Sequence, residues 1–245
     1  MTQPESAAVE LAGRKAEWFV PRFGPERFRV LTGLLFLPYT GMVLAFAAIG
    51  SVMAGTLHWQ RVAAIVVIYF FGLGVAAHAL DAIGSKRVKP WGTVFSMREL
   101  WLLTLASLVV AYSIAVYYIV FHSPWLGSLA IIEGFFVFAY NLEWFSGRFH
   151  TDGWFAFSWG FLPVLAGCLI QINTLTFQAL LAAGAMALFS LIEIKASRPY
   201  KELKRASAVP DAQSKELMDR YEIILKCVSL GVILLGIGLI ISRIR

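Results

Sequence analysis

Cysteine is almost missing from this chain. Cys168 and Cys227 are the only two in 245 residues, both fall inside apolar stretches, and neither belongs to a CxxC or CxxH spacing. That excludes a disulfide framework and a metal–thiolate centre, and both thiols read as small buried apolar residues. Charge is scarce as well. Asp, Glu, Lys and Arg make up 15% of the chain and hydrophobic residues 59%, against about 25% and 45–50% in soluble domains, which excludes an ordinary water-soluble globule. Residues 1–27 lack a short apolar segment followed by a small-residue cleavage site, so the first apolar stretch is expected to be its own insertion signal. Internal repeats are missing too. The chain reads as one membrane domain, 28–245, behind an N-terminal arm, 1–27, in which residues 7–20 with Trp18 and Phe19 suit a short interfacial helix.

What is present is a series of seven strongly apolar stretches: 30–54, 61–80, 100–120, 126–141, 154–171, 177–193 and 221–241. A helix crossing the ~30 Å hydrocarbon core needs about 17–25 residues, and most of these qualify. The expectation is an all-α polytopic membrane helical bundle of about seven transmembrane helices. Basic residues alternate between the gaps. The arm holds Arg14, Lys15, Arg22, Arg27 and Arg29, the second gap Lys86, Arg87, Lys89 and Arg98, and the fourth Arg148. The sixth holds Lys195, Arg198, Lys201, Lys204, Arg205, Lys215 and Arg220, while the opposite side has Arg61, Arg243 and Arg245. The positive-inside rule then puts the N-terminus and the even-numbered gaps in the cytoplasm and the C-terminus outside. The net charge of +6 faces anionic lipid headgroups in this setting, not nucleic acid. An uncleaved first span without organelle-targeting features points to a prokaryotic plasma membrane.

Polar residues against a bilayer are costly and tend to serve a site. Three clusters stand out. The first, AAHALDAIGSKRVKPWGT, carries His78, Asp81, Ser85, Lys86 and Arg87. The second, AYNLEWFSGRFHTDGWF, carries Tyr140, Asn141, Glu143, Arg148, His150 and Asp152. The third, LIEIKASRPYKELKR, carries Glu193, Lys195, Ser197, Arg198 and Tyr200. All three emerge on the basic side, whereas the opposite gaps, 56–60, 121–125 and 172–176, are short and almost uncharged. One polar mouth over an apolar bundle suits an amphiphile with an anionic head and a hydrocarbon tail. His78 and Asp81, three apart on a helix, share a face, where they could share a metal, pair with each other or bond a neighbouring helix. Lys86 and Arg87 taken singly are topology signals. Glu193 ends an apolar span and needs a cationic partner such as Lys195 or Arg198. Glu133, in mid-span, is a functional carboxylate or a neutral acid.

The order of these parts resembles the UbiA superfamily of intramembrane prenyltransferases over residues 30–200. The resemblance is closest in FAYNLEWFSGRFHTDGWFAFSWGFLPVLAGCLIQ, residues 138–171, where a Tyr and a basic residue precede a Gly-rich start and a small-residue span. It implies two carboxylate motifs, NDxxDxxxD and DxxxD, holding Mg²⁺ against the diphosphate of an isoprenoid donor. A hard cation on that leaving group lets the allylic bond ionise, and basic side chains help. The chain departs from the pattern: Ala77, His78, Asp81 and Ser85 stand where Asn, Asp, Asp and Asp are expected, and Glu193 and Ser197 where two aspartates are. The resemblance therefore leaves Asp81 and Glu193 as metal ligands for a single Mg²⁺. It makes Asp81, Glu193 and Arg148 the catalytic set, and His78, Lys86, Arg87, Tyr140, Asn141, Lys195 and Arg198 the substrate-binding set. One span follows the second motif where the family has three, so an oligomer or lipid would complete the cavity wall. The implied function is transfer of a prenyl group from an isoprenyl diphosphate to an acceptor. The alternatives are a terpene cyclase of the lyase class and a non-catalytic isoprenoid- or lipid-binding membrane protein.

Overall fold

A computed structural model of the protein describes residues 17–84, 94–206 and 211–244. Among these residues the fold is entirely helical, without strands, and eight helices follow one another. They are α1 (Glu26–Leu34), α2 (Leu37–Met53), α3 (Trp59–Gly84), α4 (Met97–Phe121), α5 (Leu126–Asn141), α6 (Asp152–Ile172), α7 (Phe177–Ala206) and α8 (Ala212–Ile241). Five of them are long and apolar enough to cross a membrane, or six if α1 and α2 count as one bent span. Helix α5 is apolar but has 16 residues, about 24 Å at ~1.5 Å per residue, which is short of the hydrocarbon thickness.

Three boundaries depart from the hydropathy reading. The first stretch is not one straight helix: α1 and α2 meet at 42°. Phe36 there has φ +43°, and Pro38 lacks the N–H that would continue the ladder to Leu34. Helix α7 runs to Ala206, well past Glu193, so this acid lies within a helix and not at its end. Helix α8 begins at Ala212 and not at 221, capped by Asp211. The backbone N–H of Ser214 donates to Asp211 Oδ1 at 2.6 Å, which holds that carboxyl below its ordinary value. Of the expected interfacial segment, residues 7–16 lie outside the described ones and 17–20 form a turn.

Helix α6 is the hub, packed by α2, α3, α5 and α7. Its most apolar window is 83% buried, against 28% for α4 and 22% for α8. The outer helices show why they are apolar nonetheless: Leu102, Val109, Val116 and Phe121 on α4, and Leu230, Leu234 and Ile237 on α8, point outward. Apolar faces this extensive belong against hydrocarbon. Cys227 is exposed on α8, contrary to its reading as a buried residue, while Cys168 is buried.

Arg61, isolated on the weakly charged side, has a structural job. Its Nη1 donates to the carbonyls of Ile170 at 3.2 Å and Gln171 at 2.6 Å, capping the C-terminal end of α6, where the helix dipole favours a cation. Asn173, left-handed at φ +56°, finishes that end by accepting the Trp125 N–H on Oδ1 at 3.0 Å. We expect Arg61→Leu to destabilise the protein by about 2 kcal/mol, the usual worth of hydrogen bonds from a charged donor. A melting curve in detergent matching the wild type would show the cap to be dispensable.

Candidate functional site

The three polar clusters, spread over more than a hundred residues of sequence, meet at one end of the bundle. Gly84 closes α3 against the end of α5, so tightly that a Cβ there would run into the Asn141 carbonyl. The second and third clusters are tied by charge: Asp152 pairs with Lys195 at 2.7 Å and with Arg198 at 3.0 Å. Arg198 also donates to the His150 carbonyl at 3.4 Å. The His150 ring stacks on Tyr140 at 4.4 Å, with Nδ1 3.0 Å from the Tyr140 carbonyl.

Beneath this rim lies a packed aromatic cluster. Tyr39 stacks on Phe155 at 5.2 Å and tilts against Trp159 at 5.3 Å, and His78 lies 5.4 Å from Trp159 and 6.2 Å from Phe36. Two π-helical segments shape it. Phe70–Ala77 in α3 ends immediately before His78, and Ala156–Phe161 in α6 carries Trp159. A wider turn rotates the residues that follow it about the helix axis, and such insertions recur at functional sites.

The far wall comes from α7. Because that helix continues past Glu193, its residues Ser190, Glu193, Ser197 and Tyr200 recur at helical spacing and are all buried. Ser190 comes so close to Gly160 that a Cβ there would sit 2.6 Å from its Oγ. Tyr39 Oη, His78 Nε2, Ser190 Oγ and Glu193 Oε2 are each buried without a hydrogen-bond partner among the described residues. Unpaired buried polar atoms cost roughly 1–3 kcal/mol apiece, so such a group is a candidate place for an ordered water, an ion or a ligand. A groove of about 360 Å³, counting its open mouth, passes under Glu17–Phe19 and reaches Glu193, Ser197 and Lys201. Lys201 Nζ lies 5.2 Å from the centre of the Phe36 ring. The rim is held by a second network in which Lys204 donates to Glu17 at 2.8 Å and Lys226 to Glu222 at 2.6 Å.

His78, Tyr140, Glu193, Lys195 and Arg198 are thus brought to one end. Asn141 is there too, but its side-chain amide donates to the Val137 carbonyl of its own helix at 2.7 Å. Asp81 is exposed near the end of α3 and Arg148 is exposed in the turn before α6. Lys86 and Arg87 lie outside the described residues. Among the described residues, no group of three His, Cys, Asp or Glu side chains is arranged to hold a metal ion. Sequence reasoning did not single out Phe36, Tyr39, Phe155, Trp159 or Ser190. In a chain with 14% aromatic residues, an aromatic inside a span carries no mark separating a cavity wall from packing. Comparisons with protein-family models, with curated proteins and with solved structures find no match to this chain.

Proposed function

We propose that this protein is an integral membrane prenyltransferase similar to the UbiA superfamily. In this reading it binds an isoprenyl diphosphate with the head at the basic end and the hydrocarbon tail toward the aromatic cluster. One observation carries the reading: the three separate polar clusters converge around Tyr39, His78, Ser190 and Glu193, each with a buried polar atom that has no partner among the described residues, with Lys195 and Arg198 at the rim. Aromatic faces suit a developing allylic cation, and basic side chains suit the departing diphosphate. The described carboxylates do not form a chelate by themselves. Mg²⁺ is therefore proposed as an ion brought in with the diphosphate, with Asp81 and Glu193 the acids that the resemblance assigns to it. Bound there, it would stabilise the leaving group. Orientation with the basic end in the cytoplasm belongs to the same proposal.

The test is binding of geranylgeranyl diphosphate to the purified protein with Mg²⁺ and with EDTA, followed by product analysis of the same sample. Binding that needs Mg²⁺ and releases diphosphate is expected, and the product separates transfer from cyclisation. Asp81→Ala and Glu193→Ala should each weaken the Mg²⁺-dependent binding roughly tenfold or more, the scale of a lost charge-assisted contact. Wild-type affinity in both variants removes the two acids from the site. A second reading, a non-catalytic isoprenoid-binding protein, is favoured by the pairing of Lys195 and Arg198 with Asp152, which already offsets part of their charge. Binding without product supports it.

A further inference from the structure

A second cavity lies between the middles of α3, α4 and α5 and takes in about 550 Å³ including the open space at its mouth. Its walls are apolar, from residues such as Ile65, Leu108, Ala115 and Leu129, with a single carboxyl, Glu133, at its side. Tyr69 Oη donates to Glu133 Oε1 at 2.9 Å, while Oε2 is buried and has no partner among the described residues. No Lys, Arg or His is among the described residues that line the cavity. Tyr112, on the opposite wall, already donates to the Ala130 carbonyl at 2.9 Å. This cavity shares no lining residue with the groove under Glu17–Phe19.

A carboxyl in an apolar wall with one oxygen satisfied and one vacant is expensive, and a ligand that completes it recovers that cost. Without a cation in the wall, nothing there would hold an anionic head beside the acid. A hydroxyl fits best, because it donates to the oxygen if the carboxyl is ionised and accepts from it if the carboxyl carries its proton. We propose that this cavity is a binding site for an uncharged, membrane-soluble alcohol, entered from the bilayer, whose hydroxyl pairs with Glu133 Oε2. The site does not depend on the diphosphate reading, and either can stand without the other.

The probe is tritiated farnesol bound to the full-length protein in detergent, competed with unlabelled farnesol and with the matching hydrocarbon that lacks the hydroxyl. Saturable binding is expected, with the hydrocarbon competing roughly tenfold more weakly, the scale of one buried hydrogen bond. Glu133→Leu should lose binding to a similar extent, whereas Glu133→Gln, which keeps both donor and acceptor, should stay within a few-fold of wild type. Gly72 supplies an independent arm: it lines the cavity and a Cβ there meets nothing within 4 Å, so Gly72→Leu, which adds bulk at that wall, should abolish binding. Three results overturn the proposal: no saturable farnesol binding, equal competition by the hydrocarbon, or wild-type affinity in Gly72→Leu. If Glu133→Leu fails to fold, the hydrocarbon and the Gly72 variant still decide.

Discussion

Gly167→Leu is expected to prevent recovery of folded protein, and the reason lies in how the hub helix is approached. An added Cβ on Gly167 would run into the Ala47 carbonyl, with Ser51 N 2.9 Å away, and a Cβ on Gly50 would run into the Val164 carbonyl. The contact is therefore reciprocal, backbone against backbone, between α2 and α6. Ser51 Oγ, buried, sits 3.1 Å from the carbonyls of both Ala47 and Gly167, polar glue of the kind that small residues make possible between membrane helices. Neither side has a flexible side chain that could swing away, so α2 and α6 must separate. Overpacking of an ordinary core costs about 1–3 kcal/mol, and prying apart a central helix pair exceeds that, against a total stability of roughly 5–15 kcal/mol. Size-exclusion chromatography of a fluorescent fusion checks it. Gly167→Leu should give aggregate, Gly167→Ala an intermediate yield, and Gly184→Leu, where a Cβ meets nothing within 4 Å, a wild-type peak. A monodisperse Gly167→Leu would mean that the α2–α6 crossing is looser than described.

The second large effect concerns the rim. Lys195→Gln combined with Arg198→Gln is expected to lower geranylgeranyl diphosphate affinity by roughly a hundredfold, two charge-assisted contacts at about tenfold each. The two ion pairs with Asp152 are partly exposed, with Lys195 67% and Arg198 39% accessible, so their loss should leave folding nearly intact. Asp152→Asn separates a binding role from a structural one. It cuts the same ion pairs yet leaves both cations in place, and so should tighten diphosphate binding. If both changes weaken it equally, the pairs serve to position the α6–α7 contact and the cations are not the clamp. Arg148→Gln, altering an exposed side chain in the turn before α6, should change affinity little. A loss matching that of Arg198→Gln would return Arg148 to the site.

Some of this was legible in the order of residues and some was not. Class and approximate spans follow from composition and run length, because unbroken apolar runs of about 20 residues suit helices, whereas the strands of a membrane barrel are shorter and alternate apolar with polar. That the polar clusters gather at one end was legible too, since His78, Asp152 and Arg198 lie at the edges of apolar runs on the side rich in Lys and Arg. Hydropathy could not see the bend at Phe36, because Leu, Phe and Pro leave the window average unchanged. Nor could it see that α7 continues past Glu193. Charged residues ended the apolar run, but a helix with one buried face carries charge on the other and simply goes on.

By itself, then, the sequence determined an all-helical chain with apolar helices long enough for a membrane and three polar clusters at one end, since hydrophobic run length and charge placement are properties of residues in order. The tertiary structure decided which of the polar residues meet. It joined Asp152 to Lys195 and Arg198, walled His78 with Trp159 and Phe36, and left one oxygen each of Glu133 and Glu193 buried without partners among the described residues. The physical reason is that pairing depends on helix rotation and crossing. Those are set by glycines such as Gly50, Gly84 and Gly167 and by the two π-helical segments, whose effects reach across contacts that no local window of sequence contains.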